Sequence, residues 1–173
     1  AMKFLGSVAT GKGKILFVGT KRQASKAVRE EATRCHCPFV DHRWLGGMLT
    51  NFKTVKNSIA RLVELDEMAS SGTSVGLTKK ETLMLERELA QLDRHLSGIR
   101  EMKGQPDAFL VIDVEHERIA VSVAVELGIP VGGVVVANSS PDAIYYRIPG
   151  NANSLRAINI TFGGACVYIL FTM

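Results

Sequence analysis

The sequence predicts an α/β domain: a parallel sheet with helices on both faces, and a helical hairpin inserted between two of its strands. Residues 14–19 (KILFVG) and 108–113 (AFLVID) are short, continuous apolar runs, which are typical of strands buried on both faces. A helical stretch follows each of them. Strands that alternate with helices favour a parallel sheet.

The remaining elements of the sheet domain follow the same alternation. Gly128 ends one helix, and the Ile129-Pro130 step after it leads into another apolar strand. In chain order the expected elements are strand 14–19, helix 21–34, strand 38–40, strand 108–113, helix 116–127 and strand 131–136.

The segment between the second and third strands has two narrow apolar seams with charged flanks. A Ser- and Gly-rich loop at 70–76 separates them, and Thr78 with Glu81 has capping-box form. This predicts an antiparallel coiled-coil hairpin at 52–103, inserted into a sheet domain at 11–51 and 104–173; the alternative is that both helices lie on the sheet. The seams are Phe52, Val55, Ile59, Leu62 and Leu65, then Leu85, Leu89, Leu92, Leu96 and Ile99.

The charge of the chain is unevenly distributed. The 173 residues carry a formal charge of +4, but residues 1–60 hold 11 Lys and Arg against 3 Asp and Glu, whereas residues 61–173 hold 10 against 14. A basic first third favours a polyanionic partner, because each cation that neutralises a phosphate releases a counterion. The alternative is a solvated basic surface.

Three cysteines are an odd number without a disulfide framework, and we expect them to be thiols in a soluble, intracellular protein. The Cys35-His36-Cys37 stretch, with His42, has the residue types of a zinc site. Its single intervening residue is poor spacing for zinc, so no metal is predicted.

Residues 6–13 (GSVATGKG) nearly match a phosphate-binding loop. Gly13 stands where the motif needs a hydroxyl, and a strand follows where it needs a helix. We therefore interpret residues 11–14 as a flexible basic segment before the first strand, and predict no nucleotide hydrolysis.

Gly19, Thr20, Lys21 and Arg22 lie at a predicted strand-to-helix turn. Two interpretations remain open: a phosphate contact at the helix amino terminus, or a helix cap by Thr20 beside two solvated cations.

Asp113, Glu115, His116 and Glu117 cluster where a strand ends, which is where open α/β sheets place ligands or metals. The acids would also cap the following helix, and we favour that interpretation over a catalytic or metal site.

The stretch at 41–54, DHRWLGGMLTNFKT, closely resembles the signature of the protein-two family of the small ribosomal subunit of bacteria and organelles. Further matches run on both sides, and the resemblance covers roughly residues 11–160. The supporting stretches are 13–22 (GKILFVGTKR), 77–81 (LTKKE), 106–113 (PDAFLVID), 127–131 (LGIPV) and 148–151 (IPGN).

This resemblance implies a flavodoxin-like or Rossmann-like sheet with a protruding hairpin, and a structural role without catalysis or cofactor. It implies small-subunit ribosomal RNA and neighbouring ribosomal proteins as partners, with ribosomal protein one among those expected, and neither a membrane nor a small-molecule substrate. The location would be a cytoplasmic or organellar ribosome.

The signature and the basic first third together suggest a set of RNA contacts. Trp44 could stack on a base or pack at the base of the hairpin, and Gly46-Gly47 would let backbones approach closely. The expected RNA-binding residues are Lys12, Lys14, Lys21, Arg22, His42, Arg43, Trp44, Asn51, Lys53 and Lys56.

The sequence departs from the family pattern in three places. We find no counterpart of the family's amino-terminal Gly- and His-rich motif with its first helix and strand, and we expect a shortened chain. Residues 136–142 lack acids that the family has, as do residues 152–153. Residues 163–173 diverge into an apolar end that would favour aggregation unless it packs on the sheet.

Two other functions remain open. A nucleotide-binding α/β enzyme would use the strand ends near Thr20 and Asp113, and a protein adaptor would use the coiled-coil hairpin.

Overall fold

The structure is a computed structural model that describes residues 2–71, 78–135, 144–150 and 154–172. Its centre is a parallel sheet in the order β2-β1-β3-β4-β5. This order, 2-1-3-4-5, is that of flavodoxin-like sheets, in which the chain reverses its winding direction between β1 and β3. The strands are β1 Ile15–Val18, β2 Phe39–Val40, β3 Ala108–Val111, β4 Val131–Val135 and β5 Tyr146–Pro149.

Helices cover both faces of this sheet, as the continuous apolar strands predict. Within the described ranges they are α1 Met2–Thr10, α2 Arg22–Arg34, α3 Phe52–Ser70, α4 Lys79–Leu96, α5 Arg118–Glu126 and α6 Leu155–Thr172, and a 3₁₀ turn, Ser97–Ile99, follows α4.

Successive residues of each strand point to opposite faces, so the protein has two cores. Ile15 and Phe17 of β1 pack with α1, α2 and α6. Leu16 and Val18 point the other way, toward α5 and the base of α3 and α4. All four side chains are at most 1% exposed.

Three elements, α1, β5 and α6, were not expected from the sequence. Residues 6–10 belong to helix α1, so the near-match to a phosphate loop is mostly helical. β5 is a short edge strand that contains an arginine and a proline, and it carries none of the apolar-run signal that marks β1 and β3.

The divergent carboxyl-terminal residues form most of α6. Ala165, Cys166 and Ile169 are buried against the sheet domain. The apolar end of the chain therefore packs on the sheet, as it must if aggregation is to be avoided. The opposite side of α6 keeps Ile160 and Phe171 exposed.

α3 and α4 pack chiefly on each other, and Arg61 of α3 forms an ion pair with Glu88 of α4 at 3.2 Å. The capping box at Thr78 and Glu81 is confirmed: the Thr78 hydroxyl accepts from the Glu81 amide, and the Glu81 carboxylate accepts from the Thr78 amide. The Thr78 hydroxyl also donates to this carboxylate, at 2.7 Å, and that bond, followed by the one from the Thr78 amide, lowers the pKa of Glu81 below its ordinary value.

The base of this helix pair is part of the sheet core, since Val55, Ile59, Leu96 and Ile99 are buried in the same cluster as β1 and β3. Gly98 makes this packing possible, because a Cβ at that position would overlap the carbonyl oxygen of Phe39 in β2. A coiled coil that projects as a separate unit stays a prediction.

Some expectations lie outside the described residues. These are residues 72–76 of the loop expected at 70–76, the loss of acids at 136–142 and the acids expected near 152–153. Ser70, the first residue of that expected loop, belongs to α3. Among the helices of the described ranges, none has the length and apolar character needed to span a membrane.

Candidate nucleic-acid interface

Three of the stretches singled out in the sequence meet at the carboxyl edge of the sheet. Thr20 and Lys21 follow β1, His42 to Trp44 follow β2, and Asp113 to Glu117 follow β3. The crevice between β1 and β3 is the position where parallel α/β sheets bind ligands. The side chains that fill this crevice determine which of these residues can face a partner.

Thr20 is bound to an acid of its own chain. Its amide and its hydroxyl both donate to Oε1 of Glu117, at 2.6 Å each, and Glu117 is only 3% exposed. The expected helix cap is wrong, since Lys21 is the residue that precedes α2 and it makes no side-chain cap bond. The Glu117 carboxylate thus occupies the position at which a phosphate would have contacted Thr20.

Lys21 is also engaged inside the protein. Its Nζ forms an ion pair with Oδ2 of Asp113 at 2.8 Å. Burial raises the pKa of Asp113, but hydrogen bonds from Lys21 and from the His116 amide outweigh it and hold the pKa below its ordinary value. Asp113 accepts from the His116 amide, but that bond lies in the turn before α5. The expected capping of α5 by these acids is wrong, because its N-cap residue is Glu117, which makes no side-chain cap bond and binds Thr20 instead.

Trp44 packs in the core. Its side chain is 8% exposed, and its ring centroid lies 6.0 Å from that of Phe109 in β3. The expectation that it stacks on a base is therefore corrected in favour of the packing alternative. The expected close approach at the glycine pair is also wrong: a Cβ on Gly46 would meet nothing within 4 Å, and Gly47 is required instead by its φ of +78°.

A cationic surface lies beside Trp44, formed by His42, Arg43, Arg94 and His95. His42 and Arg43 are exposed, and the ring of His42 meets the ring of His95 edge-on with centroids 5.1 Å apart. Burial first, and then the charges of His42, Arg94 and Arg43, lower the pKa of His95 below its ordinary value. The charges of His42, Arg94 and Arg43 therefore oppose a further positive charge here and would attract an anion.

The start of α3 continues this surface. Lys53 and Lys56 are exposed and three residues apart, so they lie on one side of the helix, and Nζ of Lys56 lies 5.3 Å from the ring centroid of Phe52. Asn51 is exposed, and its Oδ1 accepts from the Thr54 hydroxyl. An open groove of about 470 Å³ runs between the loop after β2, α3 and α4, and it is lined in part by Arg43, Thr54, Ser58, Gln91 and His95.

Other expected contacts lie elsewhere. Lys12 and Lys14 are exposed at the amino end of β1, the opposite edge of the sheet. Arg22 is exposed at the start of α2. The ten predicted residues therefore do not form one continuous surface.

The possible zinc ligands are not brought together. His42 faces His95, and Cys35 is buried on the other face of the sheet. Among the described residues there is no group of three or more His, Cys, Asp or Glu side chains arranged to hold a metal ion.

Sequence reasoning missed Arg94 and His95. Both lie in the last turn of α4, where basic residues are a common feature of helix ends, so their presence gave no signal of function. Only the antiparallel return of α4 to the loop after β2 brings them next to His42 and Arg43.

A comparison with known protein families identifies the family of this chain. The family model described as ribosomal protein S2 matches residues 1–166. The match covers nearly the whole chain and begins before residue 11, where the resemblance was expected to start. The chain belongs to the ribosomal protein S2 family, which implies the role of a small-subunit ribosomal protein, generally structural rather than enzymatic.

Proposed function

We propose that this protein is a structural component of the small ribosomal subunit that binds ribosomal RNA through the cationic surface at the base of α3 and α4. The surface consists of His42, Arg43, Arg94 and His95, continued by Asn51, Lys53 and Lys56. The observation that carries the proposal is the convergence of four basic side chains from two separate segments: the rings of His42 and His95 lie 5.1 Å apart, and Arg43 and Arg94 are near enough for their charges to act on His95. RNA phosphates are the anions that would complement them.

Ion pairing inside the protein supports the choice of surface. Four cations of the basic first third are matched by an acid of this chain, and these pairs are Lys21–Asp113, Lys26–Glu30, Arg29–Asp41 and Arg34–Glu31. Within the described part of the chain, no ion pair involves Arg43, Lys53 or Lys56. These three keep their charge available for a partner.

The double replacement Arg43→Ala with Lys53→Ala tests this surface. We expect it to weaken binding to small-subunit ribosomal RNA by roughly tenfold or more and to reduce the salt slope by about 2, because each lost phosphate contact removes about one unit of slope. Binding is measured from about 50 to 200 mM salt, with transfer RNA at equal nucleotide concentration as the comparison.

Lys3→Ala with Lys103→Ala is the matched control, because it removes two exposed charges, on α1 and in the loop before β3, that form no ion pair within the described residues and lie outside the proposed surface. This variant should keep most of the affinity and slope. Equal losses in the two double variants would mean that binding follows net charge alone, and the proposed surface would be wrong. Replacing Lys12 and Lys14 then tests whether contacts extend to the opposite edge of the sheet.

The nucleotide-binding alternative finds no support in the crevice. The Thr20 amide and hydroxyl, which would meet a phosphate, are bound to Glu117, and Lys21 is paired with Asp113.

The adaptor alternative has one favourable observation. Met68, Leu83 and Met84 near the far end of the helix pair are 42%, 46% and 61% exposed. We infer that this end of a projecting hairpin contacts neighbouring ribosomal proteins, with ribosomal protein one as a further candidate partner. Such a strut would act in addition to the RNA surface.

Replacing Leu83 and Met84 by Ser is a sharper test than deleting the hairpin, because deletion would remove core residues such as Ile59 and Leu96. We expect roughly tenfold less incorporation into small subunits, with RNA affinity unchanged. Arg87→Ser, at an exposed site on the same helix, is the control. Normal incorporation of the double variant would exclude the contact.

A further inference from the structure

The three cysteines meet on the face of the sheet opposite the cationic surface. Cys35 and Cys37 follow α2, and Cys166 lies in α6. The thiols of Cys35 and Cys166 both donate to one acceptor, the carbonyl oxygen of Glu31, at 3.0 and 3.3 Å. Two sulfurs on one oxygen are neighbours, and the thiols of Cys35 and Cys37 are near enough for each to shift the pKa of the other.

The backbone after α2 brings the first two thiols together. His36 has a φ of +52°, a left-handed conformation that reverses the chain between the two cysteines. The amide of Cys37 then donates to the Ala32 carbonyl at 2.9 Å, which holds this turn against the end of the helix. Cys35 is the central thiol, with Cys37 on one side and Cys166 on the other.

These thiols differ in access. Cys35 and Cys166 are buried, whereas Cys37 is partly exposed and lines an open cavity of about 220 Å³ together with Lys14, His36 and Arg100. A small polar oxidant could reach Cys37 through this cavity. The side chains of Cys35 and Cys166 are each 0% exposed.

We propose that Cys35, Cys37 and Cys166 form a hydroperoxide-sensitive site, in which Cys37 reacts first and oxidation ends as a disulfide between Cys35 and Cys166. The disulfide would join the end of α2 to α6, two elements that already pack together.

The chemistry balances with a hydroperoxide as the oxidant. The Cys37 thiolate attacks one peroxide oxygen, the O–O bond breaks, and the products are a Cys37 sulfenic acid and, with hydrogen peroxide, one water. The Cys35 thiol then forms an S–S bond to Cys37, and the sulfenic hydroxyl leaves as a second water. Finally Cys166 attacks the Cys35 sulfur, and Cys37 leaves as a thiolate. Two thiols are oxidised, and one peroxide is reduced.

The ionisation of the thiols favours Cys37 as the one that reacts first. The hydrogen bond to Cys37, and then burial, raise the pKa of Cys35. A hydrogen bond from Cys35 lowers the pKa of Cys37, helped by the charge of Lys14 and opposed by burial. Burial raises the pKa of Cys166 to about 12. Cys37 is thus the thiol best suited to attack as a thiolate and to depart as one.

The test treats the full-length reduced protein with hydrogen peroxide, alkylates the remaining thiols and maps peptides by mass spectrometry without reduction. We expect a Cys35–Cys166 disulfide, free Cys37, and a melting temperature raised by roughly 5 °C or more that returns to its starting value with dithiothreitol. Cys37→Ser should slow disulfide formation by about tenfold or more. Cys166→Ala should stop the reaction at a Cys35–Cys37 disulfide.

Thr33→Ser, in the same cavity, is the control and should leave the rate unchanged. Equal rates for Cys37→Ser and the unchanged protein would overturn the proposal. So would a peptide map in which Cys37 is over-oxidised while Cys35 and Cys166 remain reduced. The peptide map requires only the unchanged protein. The proposal therefore stays testable even if the Cys166 variant fails to fold.

Discussion

Trp44→Ala is expected to lower the free energy of unfolding by about 3–5 kcal/mol, since it leaves a large cavity next to Phe109 in the core below the loop after β2. Urea denaturation monitored by circular dichroism measures the change. An effect of this size comes from packing, because a tryptophan that served only to stack on RNA would be dispensable in the free protein.

Trp44→Phe separates packing from RNA contact. It keeps an aromatic ring in the core and removes an indole Nε1 that is buried without a hydrogen-bond partner, so the loss should be smaller than for alanine. RNA affinity of the folded Phe variant should match that of the unchanged protein. A clear loss of affinity in a stable Phe variant would restore a direct role of Trp44 in binding.

Glu117→Ala is expected to cost about 2–4 kcal/mol, because it removes the acceptor of both the Thr20 amide and the Thr20 hydroxyl in a buried position. Glu117→Gln keeps an amide oxygen at this position and should cost less. Thermal and urea unfolding of the two variants measure the difference.

Glu115→Ala is the matched control two residues away. Glu115 is exposed and forms a long pair with Arg118 at 3.5 Å, so its removal should change stability by less than about 0.5 kcal/mol. If the Glu117 and Glu115 variants had the same stability, the carboxylate would not be what holds the β1–α2 turn to the turn before α5.

The sequence determined much of the architecture. Continuous apolar runs predict β1 and β3 because a strand covered on both faces needs apolar side chains at every position. The capping box predicts the start of α4 because its two hydrogen bonds join residues only three apart. Such local signals need no knowledge of the rest of the chain.

β5 and α1 were missed for the opposite reason. β5 has a single neighbour, β4, and is held by backbone hydrogen bonds to it rather than by a pattern of its own. α1 is a nine-residue helix, too short to be stable alone, and it forms on the surface that α6 and β1 provide.

The basic first third and the signature indicated the type of partner and several candidate contacts. Only the tertiary structure decided which of these side chains are available to contact RNA. Folding pairs Lys21 with Asp113 and buries Trp44, and it brings Arg94 and His95 beside Arg43. Composition and motifs record which side chains are present. Their availability depends on burial and on charges distant in sequence, because Coulomb interactions and packing act through space rather than along the chain.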